Sequence, residues 1–116
     1  MMTTTELQAY LDKTIARARE TIVRLTQEIE IDAFTTLSMR GDELARAAAE
    51  IQVLTRWQKV MAGSNPPTVE QVKADALDKV LYLSSDIAET PPSSPSRRLV
   101  RNMTLAVWTD LYKRIG

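Results

Sequence analysis

The fold of this chain is decided by its first amphipathic stretch, residues 3–30, which reads TTTELQAYLDKTIARARETIVRLTQEIE. Apolar side chains recur along it at steps of three and four residues, at Leu7, Leu11, Ile15, Ala18, Ile22, Leu25 and Ile29. This spacing predicts one helical stripe that approaches a heptad repeat. Thr3 and Glu6 have the spacing of a capping box, and Thr5 is a competing N-cap. We therefore expect a helix of roughly 25 residues, about 38 Å long, that ends near Glu30 or Asp32.

A second helix is predicted by the stripe that follows, which consists of Leu37, Gly41, Leu44, Ala48, Ile51, Leu54, Gln58 and Met61. Glycine inside a helix costs about 1 kcal/mol of propensity, but it lets a neighbouring helix approach closely. Because Gly41 falls on the stripe, we expect one helix that begins between Ala33 and Leu37 and ends at Met61. The alternative, in which Gly41 ends a helix and Asp42 caps another, stays open. The two long helices should pair antiparallel as a hairpin.

Two proline-containing breaks divide the rest of the chain. Residues 63–67 form a linker, and Thr68, with Gln71 at capping-box spacing, begins an acidic helix over residues 68–90. Residues 91–96 form a Pro/Ser linker, and a basic, apolar helix over residues 97–116 starts with Ser94 or Ser96 as its N-cap. The sequence thus predicts an all-α, single helical domain over residues 1–116. It is a bundle of about four helices, in which a hairpin over residues 1–62 packs with two shorter helices.

The amino-acid composition excludes several classes of binding site and of catalysis. The chain has 116 residues, 44% of them hydrophobic and 26% charged, with no cysteine and no histidine. Disulfide scaffolds and Cys/His zinc sites are therefore excluded, and the commonest general base and the best nucleophile are missing. We expect no enzyme activity and no cofactor, and a carboxylate–Mg²⁺ enzyme is the remaining, disfavoured catalytic option. Because no signal peptide and no membrane span is visible, we expect a cytoplasmic protein.

Charge is unevenly distributed along a chain whose formal net charge is zero. The acidic third segment, residues 63–90, has a net charge of −3, and the basic fourth, residues 91–116, has +4. Arg97, Arg98 and Arg101 lie in the first turns of the last helix, where cations oppose the helix dipole. They are a candidate site for an anion or a nucleic acid. The alternative is that they pair with acidic residues of the third helix or are simply solvated.

The last helix also has an unusually wide apolar arc, to which Leu105, Trp108 and Tyr112 contribute. One interpretation is that these three side chains anchor a protein partner, since aromatic residues dominate interface hot spots. The other is that the helix inserts between the hairpin and the third helix, which would bury the arc. Trp57, off the main stripe of the second helix, is predicted to cover the junction with the third and fourth helices.

These features favour a non-enzymatic protein-interaction module: an adaptor, an inhibitor or a small subunit of a larger assembly. A compact chain of this length has a radius of gyration near 13 Å, too small for two helices of about 38 Å. We therefore expect an elongated molecule, or a hairpin whose ends are covered by a protein partner or by another copy. A nucleic-acid-associated subunit is the alternative.

The helix carrying Arg40-Gly41-Asp42-Glu43-Leu44 resembles small helical proteins of phages and mobile elements in a general way. This resemblance assigns no residue a role.

Overall fold

The computed structural model describes residues 1–89 and 94–116. Its four α-helices confirm the predicted all-α fold: α1 is Thr4–Ile31, α2 Ala33–Met61, α3 Val69–Glu89 and α4 Pro95–Ile115. α1 packs along α2, and α4 packs against both α2 and α3. Residues 91–93 of the predicted Pro/Ser linker lie outside the described residues. The last helix begins at Pro95, two residues before the predicted start at residue 97.

Side-chain caps explain where three of the helices begin. The Glu6 N–H donates to Thr3 Oγ1 and the Thr3 N–H donates to Glu6 Oε1, each at 3.1 Å, which confirms the predicted capping box of α1. Thr68 and Gln71 make the same reciprocal pair at the start of α3. Ser94, one of the two N-caps predicted for α4, accepts a hydrogen bond from a backbone N–H of the first turn at 3.2 Å.

A single residue, Asp32, joins α1 to α2. Its backbone N–H donates to the carbonyl of Glu28 at 2.9 Å, and its carboxylate accepts from the Thr35 N–H at 3.1 Å. One residue therefore closes the first helix and caps the second. Hydrogen bonds from the side chain and the backbone N–H of Thr35 lower the pKa of the Asp32 carboxyl below its usual range. α2 then continues without interruption through Gly41, as the apolar stripe predicted.

The hydrophobic core lies at the open end of the hairpin, away from Asp32. Its members come from all four helices: Leu7, Leu11, Ile15, Ala49, Val53, Leu54, Met61, Val69, Val72, Ala76, Val107, Trp108, Leu111 and Ile115. The Met2 N–H also donates to the Ile115 carbonyl at 2.8 Å, which fastens the start of α1 to the end of α4. No member of this core falls within residues 16–48. We call residues 16–48 the distal hairpin.

Within the distal hairpin, α2 faces α1 with a different set of residues from the predicted stripe. Thr36 and Ala47 are buried, whereas Leu37 and Ala48 are exposed. Ion pairs cross the same interface: Arg24 pairs with Glu43, and Arg40 Nε lies 3.6 Å from Glu28 Oε2. Polar pairs and small side chains therefore occupy the α2 side of the contact, the α1 side includes the fully buried Leu25, and the stripe that carries Leu37 is rotated toward solvent.

The molecule is elongated, as the length of the hairpin predicted. Its radius of gyration is 15.6 Å and its longest extent is 44 Å, whereas a compact chain of this length would have a radius near 13 Å. Along residues 1–89 and 94–116, none of the helices combines the length and the apolar character that a membrane crossing requires. The distal hairpin thus projects from a core that the other elements share.

Candidate interaction surface

The predicted partner residues of α4 lie mostly inside the molecule. Trp108 is 8% exposed and belongs to the core. Its ring meets that of Trp57 edge-to-face, with centroids 6.3 Å apart and planes at 86°. Leu105 and Tyr112 are half-buried, and Lys73 Nζ lies 5.3 Å from the Tyr112 ring centroid. For Trp108, this placement agrees with the alternative in which α4 inserts among the other helices.

The three arginines at the start of α4 do not form one open cluster. Arg97 and Arg98 are exposed, whereas Arg101 is half-buried. The guanidinium of Arg101 lies 3.4 Å from a carboxylate oxygen of Asp86 on α3. For Arg101, this ion pair agrees with the alternative that the basic helix pairs with the acidic one.

A groove runs between α2 and α3 over the surface of α4. It contains two adjoining cavities of about 150 and 310 Å³, and Trp108 lies on the floor of both. Arg56 and Lys79 line both cavities, from α2 and α3 respectively. The indole N–H of Trp57, a lining residue of the smaller cavity, is buried and has no hydrogen-bond partner in the described part of the chain. This groove is apolar where Trp108 lies, and Arg56, Lys79 and the acidic Asp75 line its edges.

A polar junction lies on the side of the hairpin that α4 covers. Tyr10, Arg46, Glu50, Asp110 and Arg114 line a cavity of about 310 Å³ there, together with Arg17 and Lys113. Burial raises the pKa of Glu50, and burial together with the carboxylates of Asp110 and Glu50 raises the pKa of Tyr10. Arg46 pairs with both carboxylates. Four cations and two carboxylates thus line this junction, which joins α1, α2 and α4 and has an excess of positive charge.

Among the described residues, the three most exposed large apolar side chains lie at the Asp32 end of the distal hairpin, and Leu37 lies near them. Ile31 is 87% exposed, Phe34 82%, Met39 79% and Leu37 52%. Ile31 and Met39 line one shallow depression there, beside the Asp32 turn. Phe34 and Leu37 lie on a different side of α2 from Met39, so the four side chains surround the turn rather than form one continuous patch. Exposed apolar side chains that gather at one end of a molecule are typical of interaction sites. In the sequence, β-branched and polar residues cluster over residues 31–36, a pattern that indicates a helix boundary and does not single out these side chains.

The apolar stripe of α2 extends this exposed region along the hairpin. Leu37 and Ala48 are exposed, and Leu44 is half-buried. A Cβ atom placed on Gly41, between them, would have no atom of the chain within 4 Å. The close approach that a glycine permits at this position is therefore unused within the single chain.

Metal-binding clusters and relatives give no further indication of function. Among residues 1–89 and 94–116, no three carboxylate side chains come together in a way that could hold a metal ion. No family model, no curated protein and no solved structure matches this chain.

Proposed function

We propose that this protein is a non-enzymatic protein-interaction module that binds its partner through the distal hairpin. It would serve as an adaptor, an inhibitor or a small subunit of a larger assembly. The observation that carries the proposal is the group of four large apolar side chains, Ile31, Phe34, Leu37 and Met39, which are 52–87% exposed at one end of the molecule. Fully burying a side chain of this kind contributes about 1.5–3 kcal/mol, which the single chain leaves unused here.

The distal hairpin is held together by other residues, which supports a separate role for these four. Leu25 and Ala47 are almost fully buried between α1 and α2, and a linked set of ion pairs joins the two helices beside them. The exposed residues are thus available to a partner without being withdrawn from the core. Interfaces combine such an apolar centre with a polar rim, and the charged residues Glu28 and Arg40 beside the depression fit that pattern.

The test is partner capture by a double variant, Phe34→Ser with Met39→Ser. We expect the wild-type protein, immobilised and exposed to extract from its native source, to retain a partner that the double variant loses. The matched control is Leu81→Ser with Tyr82→Ser, which removes two similarly exposed apolar side chains from α3. Capture that survives the hairpin changes, or that both double variants lose equally, would overturn the proposal.

A further inference from the structure

We propose that the cavity of the polar junction binds a small molecule that carries a phosphate monoester. The exposed apolar side chains beside Asp32 take no part in this cavity, so the site is separate from the one proposed for a protein partner. The cavity has a volume of about 310 Å³ and lies where α1, α2 and α4 meet. Positive charge exceeds negative charge by two among the side chains that line it: Arg17, Arg46, Lys113 and Arg114 against Glu50 and Asp110.

The two carboxylates are taken up by one of the four cations. The guanidinium of Arg46 pairs with Asp110, and its Nε lies 3.9 Å from Glu50 Oε2. Among residues 1–89 and 94–116, the other three cations form no ion pair. Arg114 lies over the ring of Tyr10 instead, 5.7 Å from its centroid. Three cations thus surround one cavity without a paired carboxylate of the protein.

The fold brings these cations together from distant parts of the chain. Lys113 and Arg114 lie in the last turn of α4, where cations also interact favourably with the helix dipole. Arg17 has no such reason for its position, because it lies in the middle of α1. Like charges that gather at one place repel each other, and an anion bound between them removes that repulsion. A bound anion therefore accounts for all three cations.

The charge and the size of the cavity favour a phosphate monoester. This group carries a charge of about −1.5 to −2 at neutral pH, which matches an excess of two positive charges. Guanidinium groups bind phosphate through two parallel hydrogen bonds. Small-molecule sites have volumes of about 300–1,000 Å³, and this cavity is at the lower end of that range. A phosphate group with a small organic substituent would therefore fill it.

A polynucleotide fits the cavity less well than a single phosphate group does. Its successive phosphates need a row of cations, whereas Glu50 and Asp110 lie among the cations here. At 1.5 Å per residue, Arg98 near the start of α4 is roughly 24 Å along the helix from Arg114. The basic residues of α4 thus form two separate groups rather than one track for a polyanion.

Isothermal titration calorimetry with phosphoserine as the probe, and serine as its phosphate-free counterpart, tests the inference. We expect saturable binding of phosphoserine and none of serine. Arg17→Gln should raise the Kd for phosphoserine about tenfold, because a charge-assisted hydrogen bond to the phosphate is lost. The matched control is Arg19→Gln, which removes an exposed arginine from the other side of α1 and should bind like the wild type. A wild type without saturable binding, or equal losses in the two variants, would overturn the inference.

A variant with the opposite expected effect checks that the charge of the cavity is the cause. Glu50→Gln removes a negative charge from the cavity and keeps an oxygen that can accept from Arg46. We expect it to lower the Kd for phosphoserine severalfold, and circular dichroism would verify that the helices are retained. Weaker binding by a folded Glu50→Gln variant would contradict the inference. A single-stranded oligonucleotide that binds more tightly than phosphoserine and is weakened by Arg17→Gln would assign the cavity to nucleic acid and also overturn it.

Discussion

The two ends of the helical hairpin are built in opposite ways. At the open end, all four helices contribute apolar side chains to one core, and Trp108 is 8% exposed. At the Asp32 end, two helices are joined by Leu25, by buried small residues and by ion pairs, and Phe34 is 82% exposed. The same chemical class of residue thus supports the fold at one end and faces solvent at the other. Apolar residues in this chain therefore occupy two different environments, and we expect measurements of stability and of partner binding to separate their effects.

The largest effect is expected at the open end. Trp108→Ala should lower the free energy of unfolding by about 3–5 kcal/mol, because a large buried ring is removed from the centre of the core. Urea denaturation followed by circular dichroism would measure the change. If Trp108→Ala instead leaves stability intact and abolishes partner binding, Trp108 is an interface anchor and the division between the two ends fails.

A smaller effect is expected at the turn between the ends. Asp32→Ala should lower the free energy of unfolding by about 1 kcal/mol, since it removes the side-chain cap of α2. Asp32→Asn can still accept the hydrogen bond from the Thr35 N–H, and it should retain most of that contribution. Thermal unfolding of the two variants distinguishes the loss of the helix cap from a general loss of stability at the turn. Equal losses of stability in the two variants would exclude the capping role.

The same aspartate predicts a pH dependence. Its pKa is lowered in the folded protein by the hydrogen bonds from Thr35, and an unperturbed aspartate titrates near pH 3.9. The stabilisation is therefore present above about pH 4 and is lost as the pH falls through the lowered pKa. Comparing urea unfolding of wild type and Asp32→Asn from pH 6 down to pH 3 should show a difference that changes only in the acid part of this range. A constant difference would exclude titration of Asp32 as its cause.

The ion pair between Arg24 and Glu43 should contribute less still. Both side chains are about half-exposed, and such pairs typically contribute 0.2–1 kcal/mol, roughly, in double-mutant cycles. A cycle with Arg24→Ala and Glu43→Ala should give a coupling energy in that range that shrinks with added salt. A salt-independent coupling above the range would mean that polar contacts hold the distal hairpin as firmly as the core holds the open end.

The smallest effect on stability is expected where the exposed apolar residues lie. Phe34→Ser should change the free energy of unfolding in dilute solution by about 0.5 kcal/mol or less, because the ring is exposed and the two residues have similar helix propensities. Chemical denaturation at low protein concentration measures this. A loss comparable to that of Trp108→Ala would show that Phe34 supports the fold after all.

The sequence was sufficient to predict the helices but not the rotation of α2 about its axis. Caps and breaks are local signals: Thr3, Thr68 and Ser94 act as predicted, and the prolines at 66 and 67 separate α2 from α3. Apolar periodicity correctly carried α2 through Gly41. It also suggested that Leu37 lies in the core, whereas the structure places Thr36 and Ala47 on the side of α2 that faces α1. Periodicity identifies an apolar face, but which neighbour covers it depends on contacts far apart in the chain.

The candidate site was harder to predict for the same reason. The wide apolar arc of α4 was consistent with burial or with a partner, and the neighbouring α2 and α3 decide that Trp108 is buried. Exposed apolar residues at the turn gave no separate signal, because a helix boundary also tolerates β-branched and apolar residues. Only the fold separates a side chain that is covered from one that is left open.

The most direct test of the account is backbone amide hydrogen exchange, which measures the stability of different parts of the chain separately. If the open end supports the fold, the amides of residues 107–115 at the end of α4 should exchange only on global unfolding. Those of residues 33–40 beside the Asp32 turn should exchange at a lower free energy, because their large side chains are left exposed. Equal protection of the two stretches, or higher protection of residues 33–40, would contradict the account.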